Sequence, residues 1–129
     1  MPHVIIDSNI DFNLIHQLFR KKEYRYSQQE KLYMIKLTDS FQNKLKNKIL
    51  IQTISIENNS STEYFVELLK KASQITVRLV PLTYPDNKTP NIFRSIALVT
   101  SIIKEIDKDI RFAIIRTNIQ PYLAEFFEL

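Results

Sequence analysis

The sequence predicts a two-layer α/β domain: a four-stranded sheet packed on helices, built from two consecutive strand–helix–strand (β-α-β) units. Three observations lead there. Four runs rich in β-branched residues lie at 3–7, 49–56, 75–82 and 111–119. Segments with apolar residues at helical spacing fill much of the intervals. No composition break or linker divides the chain, so residues 1–129 read as one domain.

The first run, HVIID, is a short strand, and Asn9 or Asp11 can cap the helix after it. Phe12, Ile15, Leu18 and Phe19 then recur at helical spacing, with His16 near the polar side. A basic and aromatic stretch, RKKEYRY, follows at 20–26. Tyr33, Leu37, Phe41 and Leu45 step by four and predict a second helix from Gln28. The continuous run ILIQTISI predicts a buried strand. After the turn chemistry of ENNSS, Ser60 and Glu63 have the spacing of a capping box. Phe65, Leu68, Leu69 and Ala72 would stripe that third helix. The next strand, ITVRLVPL, contains Pro81, which cannot donate to a ladder and so implies an edge, an end or a bulge. Ile92, Ile96, Val99, Ile103 and Ile106 mark the strongest helix, with Thr89 or Asn91 as its cap. RFAIIRTNI is the last strand, and Pro121 can open a short terminal helix.

Composition removes several function classes. Glycine is absent, where average usage would give about nine in this length. Gly-rich phosphate loops and the G-x-S-x-G nucleophile elbow are therefore impossible. Left-handed turn positions must then fall to Asn or Asp, in which the chain is rich. There is no cysteine, which excludes disulfides, thiolate nucleophiles and cysteine metal sites. Two histidines alone give little support for zinc. No apolar run is long enough to span a bilayer, and the N-terminus lacks a basic signal region, so a cytoplasmic protein is expected. The net charge of +4 is spread along the chain, with clusters at Arg20–Lys22 and Lys44–Lys48. That excess reads first as solvated faces. Tyr24 and Tyr26 among basic residues are a weak stacking signal for nucleic acid, which is not the expected partner.

The opening MPHVIID resembles the 5-carboxymethyl-2-hydroxymuconate isomerase branch of the tautomerase superfamily. The resemblance implies removal of Met1 and catalysis by Pro2, a fold of two β-α-β units, and a homotrimer with sites near subunit interfaces. It also implies a place in aromatic compound catabolism. The chemistry is coherent from the residue itself. An exposed N-terminal proline is a secondary amine, and a free α-amine has a reference pKa of about 7.7–8.0. Desolvation and nearby cations would lower it toward operating pH. Such a base can move a proton on a carboxylate-bearing enol or dienol without a cofactor.

The substrate carboxylate needs a cationic anchor. The resembled family places arginines near the second strand of its first half and in the loop after its third strand. Here Lys48 and Lys88 stand nearest those positions, and lysine lacks the bidentate fork. Arg78 and Arg116, each within a predicted strand, complete the candidate substrate-binding set and suggest a shared anion site. His3 follows Pro2 and would point to the opposite face. The alternative is a catalytically inactive binding or interaction protein of the same fold, and the lysine substitutions favour it.

Overall fold

The computed structural model describes residues 2–58, 60–80, 89–106 and 112–127. The chain runs β1 (His3–Ser8), α1 (Phe12–Leu18), β2 (Lys22–Gln28), β3 (Lys31–Gln42), β4 (Lys48–Glu57), β5 (Ser60–Lys71) and β6 (Gln74–Leu79). It continues through α2 (Pro90–Ile106), β7 (Phe112–Thr117) and α3 (Gln120–Ala124). All seven strands join one sheet in the order β2-β3-β4-β5-β6-β1-β7. Every adjacent pair is antiparallel.

This overturns the four-stranded β-α-β expectation. Of the described residues 53% are strand and 26% helix, so the fold is mainly β, a curled half-barrel. Two segments expected as helices are strands, β3 and β5, and the basic aromatic stretch is mostly β2. The physical reason lies in the spacing. A step of four is an even number, so it serves a strand's period of two as well as a helix. In β3, Ile35 and Leu37 are buried while Met34 and Lys36 face the other way. A bulge between Leu37 and Asp39 then shifts the parity, burying Ser40 and exposing Phe41. In β5, Tyr64, Val66 and Leu68 face inward, and Phe65 and Leu69 lie half-buried on the other face. With apolar residues on both faces, the alternation is masked. Ser60 and Glu63 form no capping box: Ser60 pairs with Glu57, and Glu63 accepts a hydrogen bond from Gln52. Pro81, expected to mark a strand end or bulge, lies outside the described residues.

The hairpins turn without glycine. Gln29, Glu30, Lys46, Asn58 and Ala72 all take positive φ, between 54° and 64°, so of these left-handed positions, expected to fall to Asn or Asp, four are held by other residues. Gln29 and Glu30 do so together, in the two-residue connection from β2 to β3 that favours Asn-Gly.

Among the described residues the helices lie on one face of the sheet. α2 touches β1, β3, β4, β5 and β6, which requires the sheet to curl around it. The core is the space between: Val4, Ile6, Ile35, Leu37, Ile49, Ile51, Val66, Leu68, Ile75 and Val77 from the strands, with Ile92, Ile96, Val99 and Ile103 from α2. Asp11 caps α1 by accepting from the Asn13 amide at 2.9 Å, and α3 carries Pro121 in its first turn. The opposite face of the sheet has no helix on it among the described residues.

Candidate functional site

The sequence-derived site residues do not assemble into one pocket. Pro2 is buried and continues the inward parity of Val4, Ile6 and Ser8, toward the helices. Lys48 and Arg78 lie on the other, helix-free face, where both are claimed by one internal carboxylate. Lys48 Nζ is 3.2 Å from Glu67 Oε1, and Arg78 Nε donates to Glu67 Oε2 at 3.0 Å. The register explains the meeting: Lys48 lies opposite Leu69 and Arg78 opposite Glu67, on the strands flanking β5. Glu67 is only 4% exposed, although it sits on a helix-free face. The two cations thus already hold a carboxylate, and it belongs to the chain. Arg116 is exposed on β7 opposite Ile5, and β1 lies between it and Arg78, which is itself paired to Glu67. Lys88 lies outside the described residues. His16 is half-buried, its Nδ1 2.7 Å from Ser40 Oγ, rather than a free surface residue.

A cluster of buried polar groups, Ser55, Tyr64, Asn91 and Ser95, gathers at the start of α2, and its members are hydrogen-bonded. The Tyr64 hydroxyl donates to Ser95 Oγ at 2.7 Å, and Ser95 Oγ donates to the Ile92 carbonyl at 2.6 Å. The Tyr26 hydroxyl donates to Asn91 Oδ1 at 2.7 Å, and Asn91 Nδ2 reaches Ser55 Oγ and the Met34 carbonyl. Burial pushes both phenols above their ordinary value of 10. Arg94 stacks over the Tyr26 and Tyr122 rings and makes two hydrogen bonds to Glu125, which hold its guanidinium charged. An opening of about 260 Å³ lined by Tyr24, Tyr26, Gln28, Arg94 and Glu125 adjoins this cluster, but its cation is already bound by Glu125. This network fastens α2 to the sheet.

A more open site lies at the far end of α2. A groove of about 340 Å³ is lined by Leu18, Arg20, Lys21, Lys22, Ile102, Glu105 and Ile106. Its floor is apolar and its rim basic. The chain leaves α1 at Leu18 and enters β2 at Lys22, so the three consecutive cations cross the mouth. Arg20 donates to the carbonyls of Gln17 and Phe19 at the end of α1. Lys22 makes a loose, exposed pair with Glu105 at 3.6 Å, of a kind that contributes little. Below the floor, Ile102 and Ile106 also line a wholly apolar interior with Ile15, Phe19, Leu37, Ile51 and Leu68. That interior is filled, leaving about 10 Å³. The Arg20–Lys22 cluster is visible in the sequence as charge. Its position over Ile102 and Ile106, some eighty residues away, is not.

Among the described residues no group of three His, Asp or Glu could hold a metal ion, and no helix is long and apolar enough to cross a membrane. Comparison with protein-family models, with curated proteins and with solved structures gave no match.

Proposed function

We propose that the protein is a binding module for a small amphiphilic anion, a medium-chain alkyl carboxylate, held in the groove between the α1–β2 connection and α2. The observation that carries this is the run Arg20, Lys21 and Lys22 across the mouth of a groove floored by Leu18, Ile102 and Ile106. Ligand pockets run from roughly 300 to 1,000 Å³, so this one suits a small molecule. The filled interior beneath it limits the tail to what lies along the two isoleucines. Octanoate fits that description and palmitate exceeds it. The isomerase reading draws less support, because Pro2 and the cations Lys48 and Arg78 are on opposite faces of the sheet and the cations are paired to Glu67.

Titration calorimetry tests the proposal with octanoate, octanol and palmitate. Octanoate should bind about tenfold more tightly than octanol, the equivalent of about 1.4 kcal/mol for the lost charge. Palmitate should gain nothing over octanoate. Lys21→Glu with Lys22→Glu should abolish octanoate binding and leave the circular dichroism unchanged. No heat with octanoate, or equal affinity in the double variant, would reject the groove as the site.

A further inference from the structure

The helix-free face of β3, β4 and β5 is built in rows set by strand register. Met34, Ile56 and Ser61 form one row, and Lys36, Ile54 and Glu63 the next. Asp39, Gln52 and Phe65 follow, then Phe41, Leu50 and Glu67. The middle of this strip is apolar. Leu50, Ile54, Ile56, Phe65, Leu69 and Met34 are half-buried, and Phe41 is 48% exposed with its ring edge-on to Phe65 at 6.3 Å. An exposed contiguous apolar strip of this kind marks an interaction surface.

Charge identifies the occupant. Arg25, Lys36, Lys48, Lys71 and Arg78 stand against Glu23, Asp39, Glu63 and Glu67, five positive and four negative, so the patch and its surround are close to neutral in a chain of net charge +4. Two copies of the chain repel through the rest of their surfaces but not through this one. The arrangement is also self-complementary. Lys36 and Glu63 lie on either side of Ile54 in one row, on β3 and β5. A two-fold axis running along β4 turns one copy over onto the other and lays β3 of each on β5 of its mate. Lys36 of each copy then faces Glu63 of the other, with Ile54 against Ile54 between them. Among the described residues Lys36 pairs with Glu23, at 3.8 Å and in the open.

We infer that the protein self-associates as a two-fold dimer through this face, with Ile54 at its centre and reciprocal Lys36–Glu63 pairs. With strands about 4.8 Å apart and rising about 3.3 Å per residue, the strip from β3 to β5 offers a plan area of about 500 Å². A standard interface buries roughly 800 Å² of accessible surface per partner, so the dimer belongs among the weaker, reversible associations. The face lies on the other side of the sheet from the groove, so dimerisation and ligand binding stand or fall separately.

Sedimentation equilibrium on the full chain, from micromolar to near-millimolar protein, tests it. The mass should rise from monomer to twice the monomer with concentration. Lys36→Glu should weaken association at least tenfold, because it sets a carboxylate against Glu63 of the second copy. Combining Lys36→Glu with Glu63→Lys should restore it, because the two-fold re-pairs the swapped charges. Circular dichroism checks that each variant folds. Ile54→Lys should leave a folded monomer. A monomer at every concentration would overturn the inference and leave the face to a different protein. A trimer, or a double swap that associates no better than Lys36→Glu alone, would overturn the two-fold arrangement.

Discussion

Glu67 shows what one side chain does when its surroundings are fixed by register. Its carboxylate is 5% exposed and held by two cations whose own side chains remain 44% and 35% exposed. The asymmetry gives a prediction. Lys48→Met with Arg78→Met strips a buried carboxylate of both partners and should cost about 3 kcal/mol. Glu67→Gln leaves two cations that can turn to water, and should cost only about 1 kcal/mol. Urea unfolding of the three proteins measures this, and equal losses would show that burial of Glu67 is not what sets the energy. At this scale the sequence is partly legible. Lys48 and Arg78 stand out as anchors for a substrate carboxylate, whereas in the structure both hold a carboxylate of the chain itself. That the carboxylate is Glu67 depends on the alignment of β4, β5 and β6, which no local pattern reveals. Pro2 illustrates the converse: its neighbours HVIID predict the strand correctly, but the face it occupies follows from tertiary pairing.

At the scale of elements, α2 is legible because its apolar residues recur at both three and four, a rhythm no strand can follow. β3 and β5 are not, because steps of four suit both periods and both faces carry apolar groups. The hairpin joining β2 to β3 is hidden for a different reason. It turns at Gln29 and Glu30, residues with no preference for the left-handed region they occupy. An L-residue with a β-carbon gives up roughly 1–2 kcal/mol there. Gln29→Asn with Glu30→Gly should therefore stabilise the protein by about 1–2 kcal/mol, seen as a higher urea midpoint with an unchanged slope. No gain would mean that the turn has relaxed out of that conformation in solution.

The whole molecule is a sheet curled around one helix, and polar bonds fasten the helix where it enters. Tyr64 and Tyr26 reach α2 from β5 and β2, and both phenols titrate above their ordinary value because burial disfavours the phenolate. The sign follows from linkage. Below the unfolded value of about 10 both states keep the proton and the contribution is complete. Above it the unfolded chain releases protons that the folded chain retains, so stability falls as pH rises through the alkaline range. Tyr64→Phe should cost about 1 kcal/mol at neutral pH through its lost hydrogen bond. The gap between the two proteins should then narrow from pH 8 to pH 11, and unfolding curves that stay parallel would contradict it. The global fold is the least legible level. The sequence implies four strands in two β-α-β units, whereas seven strands form one antiparallel sheet, and the placing of β1 between β6 and β7 arises from contacts between distant segments.

That placing also dictates an order of assembly. Val4 pairs with Val77 on one side and Thr117 on the other. While a ribosome makes the chain, β1 has no neighbour until β6 appears some seventy residues later. The meander from β2 to β6 can close hairpin by hairpin as it is made, through contacts between sequential strands. β1 must wait beside it, then dock on β6, and only then offer the edge on which β7 pairs. β1 is made before the other strands of the sheet yet is among the last to pair, and the nascent protein carries it as an unpaired apolar strand while the whole meander is made.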